Sequence, residues 1–186
     1  YSLLWNSAPG KIIDKLYSEK EKFWNTERLA KAKDMNLTPE QVYSMASIVE
    51  EETNKEEDKG KIASVYMNRM NTGMRLQADP TVKFAMKDFG LKRILLKHLT
   101  YDSPFNTYQN AGLPPGPICT PSVNTIDAVL NAPKTTYIYF VAKPDFNGYS
   151  NFASTYAEHM VFAKAYQQAL DSLMKAKAAK NKAVIM

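Results

Sequence analysis

A run of small and apolar residues, Val42-Tyr43-Ser44-Met45-Ala46-Ser47-Ile48-Val49, stands between a helix-start signal and three consecutive glutamates, and it constrains the fold more than any other stretch. Thr38 can cap, Pro39 suits the first helical position, and Glu40 and Gln41 fill the first turn, so a helix over 38–52 is expected. At roughly 100° per residue, Val42, Met45, Ala46, Ile48 and Val49 share one face. Glu52 returns to that face three and four residues beyond Val49 and Ile48, whereas Glu50 and Glu51 project away from it. A carboxylate on an apolar face is costly unless paired or neutral, and burial raises its pKa toward the range a general acid needs near neutral pH. Glu52 is therefore the leading catalytic candidate.

Around this helix the chain reads as mainly helical. Residues 1–35 carry one amphipathic pattern, with Ile12, Ile13, Leu16, Tyr17, Phe23, Trp24, Leu29 and Ala30 recurring among Lys and Glu, and are expected to pack on the core as a helical segment. After a charged turn at 54–58, Ile62, Ala63, Val65, Tyr66, Met67 and Met70 define a second amphipathic helix that stops near Asn71-Thr72-Gly73. Asp79 is expected to cap, against acting as a second catalytic carboxylate, and Pro80 to start, a short helix carrying Val82, Phe84, Ala85 and Met86. Residues 87–100 show no assignable pattern. A helix over 125–131, capped by Ser122 or Asn124, precedes the best strand, 136–142, which is β-branched and aromatic. A turn at 145–149 returns the chain as a hairpin partner over 150–154, and a long helix follows Thr155, with Tyr156, Met160, Phe162, Ala163, Tyr166, Ala169, Leu170 and Leu173 on its apolar side.

Several function classes are disfavoured at once. With Cys119 the only cysteine and His98 and His159 the only histidines, no internal disulfide and no zinc-ligand cluster can be written, and no metal or cofactor is expected. The net charge of +5 owes much to Lys175, Lys177, Lys180 and Lys182 near the end, so it is weak ground for nucleic-acid binding. The chain starts at Tyr1 and has no signal peptide or membrane-spanning run, which suggests a mature or excised fragment with any anchor outside it. Eleven Tyr, eight Phe and two Trp suit sugar recognition, in which flat rings stack on pyranose faces.

From Asp102 to Pro121 the prolines and glycines leave little room for regular structure, and a rigid loop of this length inside a domain usually serves function. Polar residues in special backbone join Glu52 as site candidates. Gln77 suits a hydrogen bond to substrate or to Glu52, against satisfying loop backbone. Asn106, Thr107 and Tyr108 suit a groove wall, against bracing their own loop. Arg69 reads first as an ion-pair partner and second as a contact for substrate carboxylates. Glu158 reads as solvated or paired, and His159 is a poor candidate for a base.

The segments Ala46-Ser47-Ile48-Val49-Glu50-Glu51-Glu52-Thr53, Val65-Tyr66-Met67-Asn68-Arg69, Gly73-Met74-Arg75-Leu76-Gln77-Ala78-Asp79-Pro80-Thr81, Asn106-Thr107-Tyr108, Gly112-Leu113-Pro114-Pro115-Gly116-Pro117-Ile118 and Tyr137-Ile138-Tyr139-Phe140-Val141 closely resemble the YceG-like family of endolytic murein transglycosylases. The resemblance spans about residues 40–170, whereas 1–35 carry no comparably specific motif. It implies a bacterial enzyme anchored in the cytoplasmic membrane, acting on its outer, periplasmic side on peptidoglycan glycan strands, with cell-wall synthases as partners. Relatives carry an N-terminal transmembrane helix and a LysM-like module, neither of which this chain shows. The family's catalytic glutamate falls on Glu52, the one directly before Thr53. Glu50 matches the motif's other glutamate and joins Gln77, Asn106, Thr107 and Tyr108 as substrate-binding candidates.

The resulting expectation is an α+β fold, a mainly helical, lysozyme-like catalytic domain with a small antiparallel β element. It places the domain at 36–174, after a helical segment at 1–35 and before a basic tail at 175–186 that frays. The implied reaction is lytic cleavage of the MurNAc–GlcNAc β-1,4 bond to 1,6-anhydroMurNAc ends, limiting strand elongation. The alternatives are a non-catalytic peptidoglycan-binding or divisome scaffold module and a hydrolytic muramidase.

Overall fold

In the computed structural model, which describes residue 2, residues 4–91 and residues 93–184, the central run forms a helix, Pro39–Glu52. Its start is a full capping box: the Thr38 hydroxyl accepts from the Gln41 amide at 3.2 Å, and the Gln41 side chain accepts from the Thr38 amide at 2.8 Å. Val42, Met45, Ala46, Ile48 and Val49 are all fully buried, each of the larger ones stabilising the fold by roughly 1.5–3 kcal/mol. The opposite side is covered too. The Ser47 hydroxyl donates to Ser44 O and accepts from the Ile118 amide at 3.0 Å, which pins the Pro-rich loop across the helix.

The helices in chain order are α1 (Pro9–Phe23), α2 (Thr26–Asp34), the central α3 (Pro39–Glu52), α4 (Glu56–Asn71), α5 (Asp79–Met86), α6 (Val123–Leu130) and α7 (Tyr156–Val184). Helices α2, α4, α5 and α6 surround α3. The approach of α4 to α6 depends on Gly60, where an added Cβ would stand 3.3 Å from Pro133 Cδ and 3.5 Å from Ala128 O. Ser122 caps α6, and residues 87–100 form irregular chain with one 3-10 turn, Leu96–His98.

Two strands, β1 (Tyr139–Ala142) and β2 (Ser150–Ala153), pair antiparallel with Tyr139 opposite Ala153. The expected strand begins three residues late for a physical reason. Asn68 of α4 donates to Thr135 O and Tyr137 O, each at 2.9 Å, and Arg69 donates to Ile138 O at 2.7 Å. Helix side chains thus take the carbonyls a neighbouring strand would need. Helix α7 starts with a reciprocal cap, the Glu158 carboxylate accepting from the Ser154 and Thr155 amides while Thr155 Oγ1 accepts from the Glu158 amide. Only its first part meets the hairpin, and Tyr156, Met160 and Leu173 stay exposed. It continues to Val184; residues 185–186 and the side chains of residues 178–184, Lys180 and Lys182 among them, lie outside the described ones.

The single amphipathic pattern of residues 1–35 is two helices. The chain breaks after Phe23, and the Asn25 side chain accepts from the Arg28 amide at 2.9 Å to start α2. Phe23 and Trp24 meet edge to face and pack against the core, and Arg28 forks onto both Asp127 oxygens at 2.8 Å, tying α2 to α6. The rest of α1 leaves Ile13, Leu16 and Tyr17 exposed. The molecule is α+β, mainly helical, with one small antiparallel sheet.

Candidate active site

Glu52 closes the last turn of α3, and Thr53 behind it is already extended. The wheel position carries its side chain toward α4 and the start of α5. There the Tyr66 hydroxyl donates to Glu52 Oε1 at 2.6 Å. Water reaches one side of Glu52, but protein packs densely around the carboxyl and pushes its pKa up to about 7. Tyr66 opposes the rise by stabilising the carboxylate, Asp79 adds to it through like charge, and Arg69 and Lys83 lower it. Burial, then the charge of Glu52 and their shared hydrogen bond, hold the Tyr66 phenol well above the usual range, so it remains a donor.

Arg69 fixes the geometry around this pair. Its guanidinium donates to Leu76 O at 2.6 Å and to Ile138 O at 2.7 Å, binding the segment before α5 to the edge of β1, and it lies 5.6 Å from the centre of the Tyr139 ring. The expected carboxylate partner is absent from these contacts; backbone carbonyls take its place. Burial lowers the Arg69 pKa, and the surrounding tyrosines and Glu52 work against that change.

The segment 76–79 is tied to this group through Leu76 O, which accepts from Arg69, and through Asp79, whose charge acts on Glu52. Gln77 is in the left-handed region at φ 52°, its amide donates to Thr107 O, and its exposed side chain makes no hydrogen bond among the described residues. Asp79 does not cap α5. Ala78 occupies the cap position, and Asp79 instead accepts from the Tyr108 hydroxyl at 2.6 Å. Burial and then this bond to Asp79 raise the Tyr108 pKa, to which the Glu52 charge also contributes. Glu52, Tyr66, Arg69, Asp79 and Tyr108 therefore form one electrostatic group. Sequence reasoning missed Tyr66, which read as an ordinary apolar-face residue; the available signal was that a buried tyrosine needs a partner for its hydroxyl.

The other candidates fall elsewhere. Asn106 is buried, with its amide donating to Leu99 O and Tyr101 O and its oxygen accepting from the Tyr108 amide. Thr107 is buried beside it, accepting from the Ala78 amide and bonded to the Thr81 hydroxyl. Loop bracing accounts for both side chains. Glu50 turns to α6, where it accepts from Ser122 and Thr125 and lies 3.7 Å from Lys59 Nζ. Burial would raise its pKa, but those bonds hold it low. His159 stacks on Tyr139 with 5.0 Å between ring centres, and its Nδ1 is buried with no hydrogen-bond partner among the described residues; burial and then the Arg69 charge lower its pKa.

An opening of about 400 Å³ lies at the Glu52 end of α3, lined by Glu51, Glu52, Thr53, Asn54, Lys55 and Gly148. A larger apolar cavity of about 880 Å³ between α1, the start of α3, the Pro-rich loop and α6 does not include Glu52. Among the described residues no cluster of three or more His, Cys, Asp or Glu is placed to hold a metal ion.

These features define a class: an α+β domain that presents one glutamic acid with its pKa raised to about 7, held by a tyrosine, beside an opening. The chain belongs to the YceG-like family, whose model matches residues 1–165. The match takes in residues 1–35, beyond the span the motifs alone mark out. The chain is 44% identical over 130 residues to a Bacillus subtilis protein named endolytic murein transglycosylase, covering 68% of this chain and 34% of that protein. A Streptococcus pneumoniae protein of the same name is 33% identical over 150 residues, covering 76% of this chain and 26% of its own length. A crystal structure of a YceG-like protein from Listeria monocytogenes superposes with a TM-score of 0.72 at 32% identity, covering 86% of this chain and 50% of that one. The chain thus spans about a third or less of the curated relatives it matches.

Proposed function

We propose that this chain is the lytic centre of an endolytic peptidoglycan transglycosylase, with Glu52 as its acid and base. The single observation that carries the reading is the Glu52 carboxyl, pushed up to about 7 at an open groove and bonded to Tyr66. Neutral Glu52 gives its proton to the oxygen of the MurNAc–GlcNAc β-1,4 bond as that bond breaks and the MurNAc anomeric carbon gains oxocarbenium character. Glu52, now a carboxylate, takes the proton of the MurNAc C6 hydroxyl, and that oxygen closes on the anomeric carbon. The strand leaves with a 1,6-anhydro end, the acid is regenerated and no water is consumed. Tyr66 and Arg69 stabilise the carboxylate formed midway, while burial and Asp79 favour its reprotonation. One carboxyl near neutral pKa serves both half-reactions because both move a single proton.

In this reading Gln77 and Tyr108 contact the glycan, and Asn106, Thr107 and Glu50 shape the groove from behind. The wider role, limiting nascent strand length beside the cell-wall synthases at the outer face of the cytoplasmic membrane, rests on the family resemblance. No helix among the described residues is long and apolar enough to cross a membrane.

The proximity of Asp79 to Glu52 favours one second reading, a hydrolytic muramidase in which Asp79 activates water. Digesting purified glycan strands with the wild type and with Glu52→Gln, followed by mass spectrometry, tests both. Anhydro ends from the wild type and at least about a 100-fold lower rate in the variant are expected. Full activity of the variant would end the assignment of Glu52, and ends one water heavier would favour hydrolysis.

A further inference from the structure

The opening beside Glu52 contains a cation with no carboxylate partner. Lys55 stands at the cap position of α4, where the helix dipole disfavours positive charge, so its placement does not serve the helix. The acids around it are engaged elsewhere. Glu56 pairs with Lys59 at 2.7 Å, and Asp58 accepts from the Ser150 amide at 2.7 Å and faces Lys61. Glu57 accepts from the Tyr149 hydroxyl at 3.3 Å, and Glu51 faces the Cys119 thiol. Among the described residues no carboxylate forms an ion pair with Lys55.

The stem of Lys55 is nevertheless held in place. Its Cε fills the space beside Gly148, where an added Cβ would come within 2.9 Å, and its Nζ lies 4.6 Å from the centre of the Tyr149 ring. Gly148 has φ +88°, so the hairpin tip bends in a way a side chain would resist while it packs against that stem. A second cation, Lys143, which forms no ion pair among the described residues, lies 5.7 Å from the same ring. A lysine fixed on an aromatic face without a counter-charge is organised to receive one.

We infer that Lys55, braced by Gly148 and Tyr149, forms a subsite for a carboxylate on the lactyl–peptide branch of the glycan strand. The inference rests on the substrate class proposed above. The branch hangs from the MurNAc ring whose anomeric carbon Glu52 would serve, which sets its acidic groups within the opening that Glu52 and Lys55 share. Recognition of this branch selects MurNAc for the position beside Glu52 and orients the strand for cleavage on one side of that sugar.

Binding measured in the Glu52→Gln background separates this inference from the chemistry. Defined strands are titrated by calorimetry in three forms: peptide-bearing, stripped to the free lactyl carboxylate, and either of these with carboxyls converted to methylamides. With Lys55 intact, acid-bearing strands should bind about 5- to 10-fold tighter than their capped forms. Lys55→Gln should bring that ratio close to one, Lys55→Arg should restore most of it, and Lys55→Glu should invert it. An effect confined to stripped strands identifies the lactyl carboxylate, and one confined to peptide-bearing strands identifies the peptide. A ratio that is the same in Lys55→Gln and with Lys55 intact, or no measurable binding of acid-bearing strands, overturns the inference. A wild type that yields no anhydro ends overturns the proposed reaction instead.

Discussion

Replacing Glu52 with glutamine keeps the shape of the side chain and its acceptor for Tyr66, but removes an ionisation that burial penalises. The carboxyl is raised from the ordinary 4.5 to about 7. At about 1.4 kcal/mol per unit, ionising it in the folded chain costs about 3 kcal/mol, and the side of Glu52 open to water reduces this to about 2 kcal/mol. The folded chain binds more protons than the unfolded chain between these two values, so stability falls as pH rises through that window. The variant has no such slope. Urea unfolding should therefore find the two proteins separated by a small constant at about pH 4, with the variant gaining about 2 kcal/mol on the wild type by about pH 8. A difference that does not change with pH would refute the reasoning, because it would mean that Glu52 titrates alike in both states.

The neighbours of Glu52 should move the alkaline limb of kcat/KM against pH in opposite directions. Tyr66→Phe removes a bond that favours the carboxylate and should raise the limb, whereas Asp79→Asn removes a repelling charge and should lower it, each by up to about one unit. Identical shifts, or none, would contradict the electrostatic grouping. Glu50→Gln should lower thermal stability by about 1–2 kcal/mol through its weakened hold on α6, while cleavage with Glu52 intact persists, as a strand-cleavage assay would record. Ser47→Ala strands the buried Ile118 amide and should cost about 1–3 kcal/mol in chemical unfolding, with faster amide exchange in the Pro-rich loop.

The central helix was legible because each of its signals is local. Thr38, Pro39 and Gln41 lie within one turn, and the apolar period runs unbroken to Val49. The face on which Glu52 lies was legible for the same reason, since periodicity alone sets it on the side of α3 that turns to Tyr66. What escaped depends on partners distant in sequence. Asp79 read as a cap because its nearest neighbours allow it, yet Tyr108 claims it from another segment. Strand β1 read three residues too long because nothing in 136–142 announces that Asn68 and Arg69 will occupy the carbonyls before it. The groove role given evenly to Asn106 and Thr107 turned on loop contacts that only the folded chain brings together. The break between α1 and α2 was a local signal, Asn25 before Thr26, obscured by a continuous run of amphipathic spacing.

The most direct test of the proposed chemistry is digestion of glycan strands by this chain in water enriched in heavy oxygen, followed by mass spectrometry of the new ends. A reaction in which Glu52 both gives and takes the proton, and the C6 oxygen of MurNAc is the nucleophile, predicts anhydro ends with no heavy oxygen. New reducing ends that carry the label would mean that water attacks the anomeric carbon, and would contradict the account.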